Sequence, residues 1–255
     1  MLRVERESHH VVWTIDRAET KNALDFGTID ALRDAAREAA ADHGIRCAVL
    51  TGAGHTFVSG GDLRELRGRT TPQDGERLSD AGYELTTALA ELPFPVIGAL
   101  AGPAVGGGAE LALACDMRVA DARAKICFKQ GRMGVTTAWG SAARLVALIG
   151  PSMAARLLYT GYEMPAVEAK LAGLVDEVVE NGMARATAVA WAADVAQASP
   201  AAVRAMKAIL REGARAAESA RAVERQLFID TWSGADHIEA VDAYFERRAP
   251  VWHDR

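Results

Sequence analysis

The stretch VIGALAGPAVGGGAELALACD, residues 96–116, decides the fold of this chain. Its beginning, Val96–Leu100, is apolar or small and lies between turn-forming residues, a pattern that predicts a short buried strand. A helix is predicted over Ala109–Cys115, directly after the glycine run Gly106–Gly108. Because the first N–H groups of a helix have no partner within it, this turn offers free donors to an anion or a polarised oxygen.

Strands and helices alternate on the N-terminal side of this stretch. Further strands are predicted at Val11–Ile15 and Cys47–Thr51, and helices at Asp25–Ala41 and Gln73–Leu92. The alternation predicts an α/β layered core with a mostly parallel sheet, whose ligands bind where loops leave the carboxyl ends of the strands. From Pro151 onward the pattern is almost purely helical, apart from a strand-like run over Gly173–Val179. The segment Arg67–Gly75 is predicted to be a mobile loop.

A second glycine pair, Gly60-Gly61, follows the strand predicted at Cys47–Thr51 and precedes Asp62. Adjacent glycines let a ligand approach main-chain N–H groups, although either loop alone is more often just a tight turn. The spacings typical of dinucleotide-binding and phosphate-binding loops are missing, as are the zinc motif H-E-x-x-H, paired C-x-x-C motifs and the nucleophile elbow G-x-S-x-G. The motifs therefore predict no metal site and no nucleotide fingerprint.

Composition limits the classes of partner. The 255 residues are 50% hydrophobic, enough for a sizeable core, and the net charge of −5 predicts no broad basic surface for nucleic acid. The three cysteines are odd in number and widely spaced, which predicts buried thiols in a reducing compartment. The apolar stretch Leu89–Leu100 is broken by Glu91, Pro93 and Pro95, so no membrane span is expected. With no secretory signal in the first residues, a cytoplasmic location is the default expectation.

Several segments together resemble the crotonase (enoyl-CoA hydratase/isomerase) superfamily. The segments that carry the resemblance, in order, are 16–24, 50–63, 101–116, 139–145, 171–175 and 243–250. The likeness covers nearly the whole chain, and the glycine motif in 101–116 is its most specific part. The resemblance implies an α/β fold with a crotonase-like ββα spiral core over residues 1–195 and a C-terminal helical trimerisation region over residues 196–255.

The resemblance also implies a chemistry and its residues. Coenzyme A thioesters would be the substrates, with no metal or redox cofactor, and the chain would form a homotrimer or a hexamer. By position, the N–H groups of Gly61 and Gly107 would bind the thioester oxygen as an enolate forms. Glu110, in the first turn of the following helix, would move a proton. The alternative for Glu110 is that its charge only favours the positive end of the helix.

The coenzyme would lie along other matched positions. Ala23 and Leu24 would line its path with main-chain groups, and Asp62 with Leu63 would sit near its adenine. The basic side chains nearby are candidate phosphate partners, although each is more often a solvated surface charge. These are Arg17, Lys21, Arg64 and Arg67.

The sequence departs from the family pattern at the second glutamate that the family's hydratases use. Arg132 occupies that place, and arginine cannot act as a general acid or base at ordinary pH. Arg132 either points inward, binding an acyl carboxylate or pairing with Glu110, or faces away and leaves Glu110 to work alone. The stretch Met133–Gly140 is two residues shorter than in standard hydratases and resembles ethylmalonyl-CoA decarboxylase-like members. Within it, Thr136, Thr137 and Trp139 are candidate pocket-lining residues.

Three functional hypotheses follow. The leading one is an acyl-CoA enzyme of the hydratase/isomerase type that stabilises a thioester enolate. The runner-up is decarboxylation of a malonyl-like, for example ethylmalonyl-type, CoA thioester. A hypothesis of another class is a non-catalytic protein that binds CoA thioesters.

Overall fold

A computed structural model of the protein describes residues 1–214 and 221–251. Its main sheet has six strands in the order β1-β2-β3-β4-β6-β9, and a smaller sheet has the order β5-β7-β8. The strands are β1 Leu2–Glu7, β2 His10–Ile15, β3 Cys47–Gly52, β4 Val96–Leu100, β5 Ala104–Val105, β6 Met117–Asp121, β7 Lys125–Cys127, β8 Met164–Pro165 and β9 Glu177–Val179. From β2 to β9 the main sheet is parallel, whereas β1 pairs with β2 as an antiparallel hairpin. The predicted α/β layering with a mostly parallel sheet is confirmed.

Helices cover both faces of the main sheet. They are α1 Phe26–Ala41, α2 Leu63–Leu66, α3 Pro72–Ala90, α4 Gly107–Ala114, α5 Ser141–Thr160, α6 Ala166–Leu171, α7 Ala184–Gln197, α8 Pro200–Ala214, α9 Arg221–Trp232 and α10 Ala235–Glu246. One apolar cluster joins α1, α3 and α4 to the sheet, and a second joins α7 to its other face. Strands buried on both sides are mostly apolar, as the fully buried β3 and β4 are, and the one polar side chain in them, Thr51, donates to the Ala99 carbonyl at 2.8 Å.

Two isolated β-bridges bring the two glycine-rich loops together. Val58 pairs with Ala104 in a parallel bridge, and Leu24 pairs with Gly61 in another. Three segments therefore lie side by side, with residues 58–61 between residue 24 and residues 104–107. These bridges thus fix where α4 begins relative to the loop at Gly61.

One predicted boundary is wrong and another falls within a helix. Arg67–Gly75 is not a loop throughout, because α3 begins at Pro72, where Thr71 and Asp74 form a capping box and proline occupies the first turn. The boundary expected between residues 195 and 196 falls inside α7, which packs on the sheet as far as Val195. The division into a core and a trimerisation region stays a prediction.

Among the described residues, α5 is the one helix whose length and composition would suit a membrane span. Gly150 has φ 74° and ψ 163°, and Pro151 follows it, so α5 is two helical segments joined at a kink. Each segment is shorter than a bilayer requires.

Candidate active site

The loops that carry Gly61 and Gly107 lie against each other, and both glycine amides are left without an acceptor in the described part of the chain. In the bridge to Gly61, Leu24 donates to the Gly60 carbonyl and accepts from the Asp62 N–H, both at 2.8 Å. Successive backbone groups of an extended segment point to opposite sides, so the Gly61 N–H points away from Leu24, toward residues 104–107. Within residues 1–214 and 221–251, neither the Gly61 N–H nor the Gly107 N–H donates to a protein oxygen.

The two loops can lie this close only because positions 60 and 106 are glycine. Gly60 has φ 111° and Gly106 has φ 55°, both in the region that side-chain-bearing residues rarely adopt. A methyl group built on Gly60 would lie 3.2 Å from the Val105 carbonyl oxygen and 3.8 Å from the Gly107 nitrogen. The sequence prediction that the two loops form one site is therefore supported by their contact.

Glu110 lies on the first turn of α4, with its side chain buried. Its Oε2 accepts from Ser141 Oγ at 2.7 Å, from the Trp139 N–H at 2.9 Å and from the Ala138 N–H at 3.3 Å. Its Oε1 accepts from Gln130 Nε2 at 2.8 Å. Since each carboxylate oxygen has about two lone-pair sites, Oε2 is saturated while Oε1 keeps one free. Oε1 is therefore the oxygen that can take a proton.

The environment of Glu110 favours its neutral form. Burial raises the pKa of this carboxyl, the negative charge of Glu224 raises it further, and the bonds from Ser141, Trp139 and Gln130 lower it, leaving it at about 7. A proton carrier works best when its pKa lies near the working pH, because both protonation states are then populated. Glu110 thus has the burial, the free oxygen and the pKa of a general acid and base.

A second carboxylate, from the C-terminal helical region, lies near Glu110. Glu224 of α9 accepts from Thr137 Oγ1 at 2.6 Å, from the Gly140 N–H at 2.8 Å and from the Ala142 N–H at 3.4 Å. The segment Thr137–Ala142, here called the clamp loop, therefore donates to Glu110 and to Glu224 in alternation along its length. Its conformation depends on both carboxylates.

Trp139 closes one side of the site with its ring. A methyl group built on Gly107 would lie 2.6 Å from Cη2 of the indole, and one built on Gly82 of α3 would lie 1.9 Å from Cε2. The buried ring is thus wedged between α3 and the start of α4, and Nε1 donates to the Leu78 carbonyl at 3.3 Å. Trp139 therefore walls the space next to the Gly107 amide, as expected of a pocket-lining residue.

Arg132 does not face Glu110. Its exposed side chain donates to the Thr160 carbonyl from Nη2 at 2.7 Å and from Nε at 3.1 Å. Of the two orientations left open by the sequence, Arg132 adopts the outward one, so it does not support a carboxylate-binding role beside Glu110. The physical reason is the 3-10 helix over Gln130–Met133, which turns by about a third of a circle per residue. Gln130 and Arg132 consequently point to different sides, and Gln130 meets Glu110.

Several residues expected to bind the coenzyme make hydrogen bonds and ion pairs within the protein. Arg17 bonds Asp62 at 2.9 Å, Asp25 at 3.0 Å and the Ala23 carbonyl at 2.5 Å. Asp62 also caps α2, and the main-chain groups of Leu24 bond the glycine loop. Because of these contacts, Arg17 stabilises the loop that contains Asp62 and is not a free cation that could bind phosphate.

The other residues expected near the coenzyme lie at the surface or are partly buried. Leu63 is half-buried at the start of α2, Lys21 and Arg64 are exposed, and Arg67 lies over the ring of Phe245 at 4.4 Å. Contact of Ala23, Leu24, Asp62 and Leu63 with a coenzyme stays a prediction. In the described part of the chain, no group of three or more His, Cys, Asp or Glu side chains could hold a metal ion.

Sequence reasoning missed four residues around Glu110. They are Gln130, Ser141, Arg144 and Glu224. Gln130 could have been found, because it lies two residues before the position where the pattern is broken. Glu224 carries no local signal, since 114 residues separate it from Glu110 and only the packing of α9 brings the two together.

Comparison with known proteins places the chain among enzymes of acyl-CoA metabolism. The model of a family described as enoyl-CoA hydratase/isomerase matches residues 5–255. A short-chain-enoyl-CoA hydratase of Clostridium acetobutylicum is 33% identical, covering 96% of this chain and 94% of its own length. A 2,3-dehydroadipyl-CoA hydratase of Escherichia coli is 31% identical, covering 100% and 99%. The crystal structure of an enoyl-CoA hydratase/isomerase from Pseudoalteromonas atlantica superposes with a TM-score of 0.89 at 30% identity, covering 99% of each chain.

Proposed function

Because this chain belongs to the enoyl-CoA hydratase/isomerase family, whose crotonase-like fold it shares, we propose that it adds water to 2-enoyl-CoA thioesters, with Glu110 moving the proton. The observation that carries the proposal is the buried carboxyl of Glu110, one helical turn from the free amide of Gly107. An enzyme of the hydratase/isomerase type is also what the named hydratases among its relatives indicate. A non-catalytic binding protein is accordingly not favoured.

In this proposal the two glycine amides hold the thioester oxygen. The carbonyl gains negative charge when a nucleophile adds at C3, because the electron pair of the double bond moves through C2 onto the oxygen. Gly61 N–H and Gly107 N–H are fixed donors that need no reorganisation as this charge develops. One such donor is worth about 3 kcal/mol of transition-state stabilisation.

Glu110 completes the addition. Its ionised Oε1 takes a proton from water as the water oxygen bonds to C3, and the protonated carboxyl then returns that proton to C2 as the enolate collapses. The buried Oε1 of Gln130 has no partner in the described part of the chain, so it is the acceptor that would hold the second hydrogen of the water. One water is added, and Glu110 ends as it began.

The wall formed by Trp139 supports a short acyl group. The indole lies against Gly107, where the acyl chain would leave the carbonyl, and it is held there by Gly82. A long chain would have to displace a buried aromatic ring. Short enoyl groups are therefore the proposed substrates.

Isomerisation of 3-enoyl thioesters is a second candidate, favoured by one observation. Gln130 replaces a second titratable group beside Glu110, and a shift of the double bond needs only one carboxyl to move a proton between C4 and C2. Decarboxylation loses its support, because the inward orientation of Arg132 on which it depended is not adopted.

Incubation with crotonyl-CoA, a 3-enoyl-CoA and ethylmalonyl-CoA, followed by mass spectrometry, tests the proposal. We expect crotonyl-CoA to gain one water and Glu110→Gln to abolish that gain. A product of unchanged mass from the 3-enoyl thioester alone would favour isomerisation, and loss of carbon dioxide would favour decarboxylation. Full activity of Glu110→Gln on every thioester would refute the role given to Glu110.

We also propose that the chain assembles as a homotrimer, or a hexamer of paired trimers. Apolar side chains are exposed on α5, α6 and α8, namely Tyr159, Leu171, Ile209 and Leu210. Such residues gather at interfaces between subunits. Sedimentation equilibrium distinguishes a trimer, a hexamer and a monomer.

We propose further that the substrate's coenzyme A is the only coenzyme involved, because the steps above need two amides and one proton carrier. Turnover should survive dialysis against a chelator.

A cytoplasmic location is also proposed, supported by the buried, unpaired Cys47, Cys115 and Cys127. Cell fractionation tests that location.

A further inference from the structure

The geometry points to Glu224 as a positioning residue of the proposed reaction, one that holds the clamp loop so that its donors meet Glu110. The inference rests on the proposed role of Glu110 and extends it to a residue of the C-terminal helical region. Glu224 does not bond Glu110, so it acts through the loop between them.

The contacts interlock along the clamp loop. Ala138 and Trp139 donate their N–H groups to Glu110, whereas the N–H groups of Gly140 and Ala142 go to Glu224. Neighbouring N–H groups of the loop thus donate to two different carboxylates. If the Glu224 carboxylate were absent, the Gly140 N–H would lose its acceptor and the loop would relax, moving the amides that saturate Oε2 of Glu110.

The helix that carries Glu224 is held firmly on α3. Arg225 bonds Asp80 at 2.7 Å and Glu76 at 2.6 Å. The ring of Trp232 packs where Gly75 leaves room, since a methyl group there would lie 2.8 Å from the ring. These contacts attach α9 to α3 near its start, at Arg225, and at its end, at Trp232. Glu224 is therefore presented by a rigid element, as a group that positions others must be.

Charge gives Glu224 a second effect. Its negative charge raises the pKa of Glu110. Arg144 of α5 carries a positive charge that interacts with both carboxylates, and Tyr83 of α3 and the Cys115 thiol lie close to Arg144. Arg144 also donates to the Trp139 carbonyl at 3.1 Å, so it remains in place if Glu224 is neutralised. Removal of the Glu224 charge should consequently lower the pKa of Glu110.

The test compares Glu224→Gln with Asp230→Asn, using hydration of crotonyl-CoA by the full chain. Asp230→Asn is the matched control, because it also removes a carboxylate from α9, where exposed Asp230 accepts from Gln226 Nε2 at 2.9 Å, and it is not among the contacts that hold α9 on α3 or bond the clamp loop. For Glu224→Gln we expect kcat to fall about tenfold to a hundredfold with KM within about twofold, the size that misplacement of a catalytic group produces. The rising limb of the pH profile of kcat/KM should move to lower pH. Asp230→Asn should change neither.

Glu224→Gln with wild-type kcat and an unmoved pH profile would overturn the inference, as would equal losses in both variants. Thr137→Val serves as a second variant if Glu224→Gln fails to fold. It removes one bond to Glu224 but keeps the charge, so kcat should fall while the pH midpoint stays, and unchanged kcat would count against the inference. Glu110→Gln measured in parallel separates the two proposals. If Glu110→Gln keeps its activity, the proposed function is refuted. If Glu110→Gln is inactive while Glu224→Gln has wild-type activity, only the role given to Glu224 is refuted.

Discussion

Replacement of Glu110 by glutamine should strongly reduce activity and stabilise the protein at the same time. Burial and the charge of Glu224 raise the Glu110 pKa from the ordinary 4.5 to about 7. The folded state therefore binds this proton more tightly than the unfolded chain does. Stability from this group is fully present below about pH 4.5 and is lost as the pH rises to about 7. Above that, the ionised carboxylate lowers the free energy of unfolding by about 3 kcal/mol.

The structure tolerates the substitution. A glutamine at 110 can place its oxygen at Oε2, where it accepts from Ser141 and Trp139, and its amide where Oε1 meets Gln130. The amide of Gln130 then turns over, so that its oxygen, buried without a partner in the described part of the chain, accepts the new N–H. The variant should thus lose the charge without gaining an unsatisfied donor.

Urea unfolding of both proteins at one protein concentration measures the effect. The variant should exceed wild type by about 1 kcal/mol at about pH 5 and by about 3 kcal/mol at about pH 8. Hydration of crotonyl-CoA should fall about a hundredfold to ten-thousandfold, the usual contribution of a general acid or base. A stability difference that does not grow between these pH values would refute the argument that burial neutralises Glu110.

Four further outcomes are expected. The wild-type pH profile of kcat/KM should rise through about pH 7 as Glu110 ionises, and a limb centred near pH 4.5 would contradict its raised pKa. Gly107→Ala should lower kcat about a hundredfold to a thousandfold, because the new methyl group meets Trp139 at 2.6 Å and displaces an oxyanion donor; calorimetry should show about 1–3 kcal/mol less stability. Trp139→Leu should raise kcat/KM for an octenoyl thioester relative to crotonyl-CoA at least about tenfold, and an unchanged ratio would place the acyl chain elsewhere. Arg132→Ala should leave kcat within about twofold and stability within about 0.5 kcal/mol, whereas lost turnover would return this exposed residue to the site.

Much of the fold could be predicted, because strands and helices depend on the local pattern of apolar residues. The apolar runs at β2, β3 and β4 had to be strands of a doubly covered sheet, and the structure has them there. The helix α4 after its glycine run and the place of Glu110 on its first turn followed from spacing alone. These features are set by residues a few positions apart, and a linear sequence displays such relations directly.

The surroundings of Glu110 were decided by tertiary structure. The sequence left open whether Arg132 faces Glu110, and the turn at Gln130–Met133 directs Arg132 to the Thr160 carbonyl while Gln130 bonds Glu110. Glu224 reaches the clamp loop only because α9 docks on α3. By itself, the sequence determined the sheet, the two glycine turns and one candidate acid–base residue. Which groups share the space around that residue depended on helix packing over long separations, and it is this burial that moves its pKa toward neutrality.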